Sequence, residues 1–229
     1  MSRRAAEEEI LRGNVTVNGE KASLGDKVDP ENDEVYIGNK KISGDVASPR
    51  FTYVMLNKPS GYVTTMSDEQ GRKTVADLIG GVGCRLYPVG RLDLYSEGML
   101  ICTNDGELTN KLTHPSHMIP KCYMATVTSH LTPEDIERIK QPFELDGYML
   151  KPFGVELVGY TKCGKADSSI VKFTLYEGRN REIRNICAHN DLKLARLIRI
   201  SIGELSLVGL KSGSWRYLTD DEVAYLKNI

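Results

Sequence analysis

Asp93 closes the tetrapeptide Gly90-Arg91-Leu92-Asp93, which places a carboxylate two residues after an arginine on a loop bracketed by Gly90 and Gly98. Glycine lets backbone bend sharply or come close to a ligand, and apolar segments that read as strands flank the loop. Asp93 is therefore presented to a partner and not hidden in a ladder. A carboxylate held this way can act as a nucleophile or stabilise developing positive charge. A second reactive cluster lies in the C-terminal third, where Arg179, Arg181, Arg184, Lys193, Arg196 and Arg199 concentrate base. Such a block is ordinarily a solvated face; beside Asp93 it becomes a phosphate-binding candidate and a source of the cation that keeps a desolvated carboxylate ionised.

The rest of the composition narrows the field. Cys84, Cys102, Cys122, Cys163 and Cys187 form no Cys-x-x-Cys pair and have no histidine at metal-ligand spacing. An odd, scattered set fits a reducing compartment and small, mostly buried apolar residues. His114 and His117 flank a proline in His-Pro-Ser-His and mark a loop end, not a metal site. No metal and no cofactor is expected. The chain has 229 residues, 40% hydrophobic and 27% charged, which reads as a globular protein with one good-sized domain and one small one. A net charge of -1 does not announce a nucleic-acid binder, so the distribution of charge carries more information than its sum. No apolar run approaches the roughly 20 residues of a membrane span, and Met1 leads into Ser2-Arg3-Arg4-Ala5-Ala6-Glu7 and not into a secretory signal. A cytoplasmic location is expected.

The elements that must position Asp93 can be read from local signals. Arg3 to Leu11 is helix-like, with Ser2 as its N-cap and Gly13 after its end. Val15 to Ala22 alternates around Asn18-Gly19, the commonest two-residue hairpin turn, and a strand over Glu34 to Ile37 follows an acidic turn. Ser43 to Arg50 is a Gly/Ser/Pro-bearing connector. Beyond it, strands are predicted over Phe51 to Leu56, Met99 to Cys102, Lys121 to Val127, Ile170 to Tyr176, Leu194 to Ile202 and Glu204 to Val208. Asn104-Asp105-Gly106 reads as a turn before a short helix over Glu107 to Leu112. Thr132-Pro133-Glu134-Asp135 and Thr219-Asp220-Asp221-Glu222 read as helix caps, and Arg179 to His189 as a helix with Ile183, Ile186 and Cys187 on one face. Strands outnumber helices and follow one another as hairpins, which gives an α+β fold around a largely antiparallel, mixed sheet.

Tyr87 to Pro115, YPVGRLDLYSEGMLICTNDGELTNKLTHP, resembles the signature of the pseudouridine synthases of the RsuA/RluB type. The Tyr-Pro-x-Gly-Arg-Leu-Asp start, the Ser/Thr-x-Gly-Leu continuation and the Thr-Asn-Asp-Gly hairpin match almost position by position. Asn57-Lys58-Pro59-Ser60-Gly61 is similar to the family's Lys-Pro-x-Gly turn, with Lys58 and Pro59 read as structural. The N-terminal helix and hairpin, with Ser-Arg-Arg, Gly-x-Val-x-Val-Asn-Gly and Gly-Asp-x-Val, resemble an S-four-type RNA-binding domain. In that family a helix normally precedes Ser-Arg-Arg, so the module is expected to be partial. The implied division is a partial RNA-binding module over 1–43, a linker over 44–50 and a catalytic domain over 51–229.

The resemblance implies isomerisation of uridine to pseudouridine in ribosomal RNA, on a nucleotide extruded from its helix at roughly a few kcal/mol. Asp93 is the implied essential carboxylate. Glu177-Gly178-Arg179-Asn180-Arg181-Glu182-Ile183-Arg184 is similar to the family's Glu-Gly-Arg-Asn-Arg-Gln-Ile-Arg motif, which makes Arg184 the partner of Asp93 and sends Arg179 and Arg181 toward phosphate. Glu182 replaces the usual Gln, for which a structural or tuning role is expected, and Asn185 and Ile186 replace the usual Arg and Met. Lys121-Cys122-Tyr123 resembles the segment whose tyrosine packs on the target base, Arg91 matches the arginine that supports the distorted RNA, and Leu197 is the choice for an apolar pocket floor. Arg3 and Arg4 are expected to meet RNA from the N-terminal module. The expected partner is ribosomal RNA or a ribosomal assembly particle, with large-subunit RNA favoured over small-subunit RNA, and the expected state is a monomer. Two other readings compete: an RNA-binding ribosome-assembly factor that depends little on catalysis, and a glycoside hydrolase, which needs a second carboxylate that only Glu97 could be nominated to supply, by proximity alone.

Overall fold

The computed structural model describes residues 1, 3–43, 50–145, 147–150, 154–176 and 178–229, in two compact units, Met1–Arg50 and Phe51–Ile229. Ser2, most of the connector and Glu177 of the arginine motif lie outside the described residues.

The N-terminal unit runs α1 (Arg3–Leu11), β1 (Val15–Val17), β2 (Glu20–Lys21), β3 (Val35–Ile37) and β4 (Lys40–Lys41), with its strands in the order β2-β1-β3-β4. Asn18 and Gly19 both have positive φ, 52° and 88°, as a tight turn between twisted strands demands. Asn18 also ties the turn to the acidic loop: its side chain donates to Asp33 at 2.8 Å and accepts from the Glu34 N–H at 2.8 Å.

The second unit contains β5 (Tyr53–Lys58), α2 (Val75–Ile79), β6 (Tyr87–Pro88), β7 (Glu97–Thr103), α3 (Gly106–Thr113), β8 (Lys121–Val127), α4 (Pro133–Ile139), β9 (Glu144–Leu145) and β10 (Tyr148–Met149). It continues with β11 (Gly154–Cys163), β12 (Ala166–Leu175), α5 (Glu182–His189), β13 (Leu194–Ile202), β14 (Leu205–Ser206), β15 (Trp215–Tyr217) and α6 (Asp220–Asn228). The main sheet has the order β11-β12-β8-β13-β7-β5-β15, with β14 on β13 and β6 on β7. Its pairs are antiparallel except β7 with β13, so the fold is α+β on a mixed sheet. The parallel contact sets β13 against Gly98, where an added Cβ would lie 2.3 Å from the Arg199 carbonyl oxygen and 2.7 Å from its nitrogen. Only glycine fits there. Both faces of β5 and β7 are covered, Met55, Met99 and Ile101 in one cluster and Val54, Leu56, Leu100 and Cys102 in another. That explains their unbroken apolar runs.

Local signals and structure part company at a few places. Asn104-Asp105-Gly106 is a helix start and not a free turn: Asp105 caps α3 by accepting from the Leu108 N–H at 3.0 Å and also takes the Tyr53 hydroxyl at 2.8 Å. The helix expected from Arg179 begins at Glu182, because Arg181 is left-handed at φ 54°. Of the strand expected over Glu204 to Val208 only Leu205–Ser206 is extended, and β11, β15 and α2 went unread. Cys102 and Cys187 are buried, and burial pushes both thiols up to about 12. Cys84 and Cys163 are exposed instead.

Candidate active site

The loop between β6 and β7 is pinned through its backbone. Thr64 Oγ1 donates to the Leu92 carbonyl at 2.7 Å and accepts from the Leu92 N–H at 3.2 Å. Leu92 itself is buried beside Leu56 and Leu100. From below, the Lys58 ammonium donates to the carbonyls of Ser96 at 2.8 Å, Pro59 and Asp93 at 3.1 Å, and Leu94 at 3.3 Å. Lys58 is fully buried at the end of β5. Burial pushes its pKa down to about 8, against the Glu97 and Asp93 carboxylates that pull it up. Three ammonium protons shared over four carbonyls hold the turn on which Asp93 sits. The structural reading of Lys58 from the sequence therefore understates it, since the loop it holds is the one that carries Asp93.

The Asp93 carboxylate, one third exposed, faces two arginines. Arg184 Nε lies 3.3 Å from Asp93 Oδ2, and Arg184 Nη2 reaches Ser96 Oγ at 3.3 Å. Arg181 Nη1 stands 3.7 Å from the same Oδ2. Arg181, expected to point toward phosphate, is thus a second, more exposed cation on Asp93. Arg179 lays its guanidinium over the Tyr148 ring, 3.5 Å from the centroid. Glu182 is buried and accepts the Arg179 N–H at 3.2 Å, which gives it a role in shaping the turn into α5.

Asp93, Ser96, Arg179, Arg181, Glu182 and Arg184 line a cleft of about 1020 Å³ that also includes Tyr123, Leu197, Arg199, Lys121 and, at an exposed position, Arg91. Tyr123 and Arg199 are directly opposed on β8 and β13, and Leu197 opposes Ala125, so all four share one face of the sheet. Leu197 is buried and Tyr123 half-buried. Arg3 and Arg4 belong to the other unit, exposed on α1, with Arg3 3.5 Å from Glu7. Glu97 does not line the cleft. Arg196 grips it with bonds of 2.9 and 2.8 Å, and this contact holds its carboxyl below the usual range. The glycoside hydrolase reading thereby loses the carboxylate nominated for it. Among the described residues no group of three or more His, Cys, Asp or Glu is placed to hold a metal. Sequence reasoning passed over Thr64 and Ser96, took Lys121 only as part of the Tyr123 segment and counted Arg199 only within the basic block. Lys58 and Arg199, charged residues inside apolar strands, carried a usable signal, because such positions are rarely buried without a task.

Among the described residues six cations and two carboxylates line the cleft, a balance suited to a polyanion. The family model described as RNA pseudouridylate synthase matches residues 52–189, more than half of the chain. The chain belongs to the RNA pseudouridylate synthase family. An S4 domain model matches residues 2–35. Over 227 residues the chain is 40% identical to an uncharacterized RNA pseudouridine synthase of Aquifex aeolicus, covering 98% of this chain and 88% of that protein. It is 36% identical to ribosomal large subunit pseudouridine synthase B of Bacillus subtilis, over 100% of this chain and 91% of the relative. The dual-specificity RNA pseudouridine synthase RluF of Escherichia coli is 35% identical over 97% of this chain and 72% of its own. A crystal structure of a pseudouridylate synthase superposes with a TM-score of 0.69 at 27% identity, covering 99% of this chain and 94% of the other. This chain is accordingly an enzyme that isomerises uridine to pseudouridine.

Proposed function

We propose that the chain modifies a uridine of ribosomal RNA, with large-subunit RNA the favoured substrate, acting as a monomer in the cytoplasm. The observation that carries the site assignment is the Asp93–Arg184 pair inside a cleft whose described charged residues are mostly cations. The isomerisation breaks the bond from ribose to a ring nitrogen, rotates the uracil, and rejoins ribose to a ring carbon; the hydrogen of that carbon leaves as a proton and the released ring nitrogen ends protonated. Asp93 supplies the carboxylate, and Arg184 pairs with it and aims it. Tyr123 packs on the extruded base and offers its hydroxyl to the proton transfer, while Leu197 gives the base an apolar floor. Arg91, Arg179 and Arg181 meet the RNA backbone around the opened site. Residues 1–43 serve as an S4-type RNA-binding module, with Arg3 and Arg4 on its RNA side, 44–50 as a linker and 51–229 as the catalytic domain. The large-subunit preference draws on the name of the Bacillus subtilis relative.

The test is tritium release from unmodified ribosomal RNA labelled on the uracil carbon that becomes glycosidic, supplied free and in ribosomal particles. Release by the parent, abolished in Asp93→Asn without a change in melting temperature, is the expected result. No release from any RNA would favour an assembly factor. Release retained in Asp93→Asn would remove Asp93 from the mechanism.

A further inference from the structure

Past Tyr123 the cleft continues toward α3, where Val89, Ile101, Leu112 and Ile202, members of a different core cluster from Leu197, form its walls. Arg199 and Lys121 stand at this end. Arg199 is only 5% exposed; its Nε donates to the Met99 carbonyl at 2.8 Å, and its Nη2 is buried with no hydrogen-bond partner among the described residues. Lys121 lies two residues before Tyr123 on the same strand face, and its pKa is lowered first by burial and then by the charge of Arg199. Of the two carboxylates that line the cleft among the described residues, Asp93 is engaged by Arg184 and Arg181, and Glu182 by the Arg179 N–H. Two like charges are thus held together in a largely apolar recess, one of them with an unused donor. Such an arrangement is costly unless an anion completes it.

We propose that Arg199 and Lys121 form an anion subsite, separate from the Asp93 pair, that takes a phosphodiester of the RNA adjoining the extruded uridine. The proposal rests on the reading of the cleft as the receptor for that uridine. A uracil carbonyl could satisfy the spare Nη2 donor but would leave the paired positive charge unanswered. A phosphodiester supplies two acceptor oxygens and a negative charge together. Apolar walls make the contact stronger than the same contact at the surface. A backbone still stacked in a helix does not reach so deep a cation, so the contact forms only once the nucleotide is out and offsets part of the cost of extrusion. That is binding energy reserved for the reactive arrangement.

The test uses the full chain and two probes, the dinucleotide uridylyl-uridine and its analogue with an uncharged methylphosphonate link, with binding followed by backbone amide shifts across Lys121–Tyr123. The charged probe is expected to bind the parent about tenfold or more tighter than the neutral one. That ratio should fall several-fold in Lys121→Met and in Arg199→Lys while affinity for the neutral probe holds. A purely structural role would move both probes equally. Lys121→Met carries the test if Arg199→Lys, which also loses the bond to Met99, does not fold. Equal affinities in the parent, including no measurable affinity for either probe, or a ratio unchanged in every folded variant, overturns the proposal. Tritium release on the same preparations reports the isomerase reading separately. Release with no charge-dependent ratio would leave that reading standing without this subsite, and a charge-dependent ratio without release would do the reverse.

Discussion

Among the described residues of the N-terminal unit only Val15 is buried, and α1 buries none of its residues, whereas the unit from Phe51 onward packs three clusters of buried side chains around its sheet. The smaller unit is held by near neighbours. Its acidic loop, which composition alone would read as a charged surface, is a hydrogen-bonding device: Asp29 accepts from the Glu31 N–H at 2.9 Å and from Asn32 at 2.8 Å, and Asp33 accepts from the Asp29 N–H at 2.7 Å. In the larger unit the decisive contacts join residues far apart in sequence, and the same contacts that stabilise it also aim Asp93. Damage there should therefore reach both stability and catalysis, and damage in the N-terminal unit should stay local.

The largest effect is expected from Lys58→Met, which leaves four loop carbonyls without their shared donor. A loss of about 3–5 kcal/mol, read by denaturant unfolding, should accompany a fall in kcat. If kcat holds, the loop is aimed by something other than Lys58. The pH dependence gives a second reading. Lys58 titrates near 8 when folded and at its ordinary 10.5 when unfolded, so the unfolded chain binds more protons between these values. Its desolvation penalty is fully present below about pH 8 and is relieved toward pH 10.5, so the parent should gain stability relative to Lys58→Met across that window. Activity should fall as the ammonium is lost.

Gly98→Ala comes next, because the new Cβ meets Arg199 backbone that cannot swing aside. A loss of about 2–4 kcal/mol is expected, with hydrogen-exchange protection weakened on β7 and β13 together. Protection weakened on β7 alone would show that the parallel contact is not what Gly98 serves. Asn18→Ala should cost about 1–2 kcal/mol from two lost hydrogen bonds and a left-handed backbone, visible in exchange at Val15–Val17 and absent from the second unit. A matching loss at Val54–Leu56 would break the contrast between the units. Arg3→Ala should be the smallest, under about 0.5 kcal/mol, since its pair with Glu7 is a solvent-exposed ion pair one helical turn apart. Any larger change in unfolding would give α1 a packing role that its exposure denies.

Elements governed by adjacent residues were the legible ones. Lys121–Val127 is read as a strand over its full length, and the caps at Thr132 and Thr219 from a hydroxyl three residues ahead of an acid, as their capping boxes show. β11 escaped because an edge strand buries little and its alternation is weak. α2 escaped because five residues give too short a period to detect. Asp105 looked like a turn residue because its second partner, the Tyr53 hydroxyl, comes from another strand.

The site divides along the same line. The sequence by itself determined the Asp93 loop, the arginine motif and the family resemblance they carry, because glycine placement, side-chain type and short spacing are local properties. It did not determine how the arginines divide their work. α5 lies far along the chain from the Asp93 loop, and only the folded sheet brings Arg184 and Arg181 onto one carboxylate oxygen while Arg179 stacks on Tyr148. The tertiary structure alone decided that Lys58 holds the loop from below and that Arg199 is buried with a spare donor beside Lys121. Burial and partner choice are set by which strands become neighbours, and that is a property of the whole sheet.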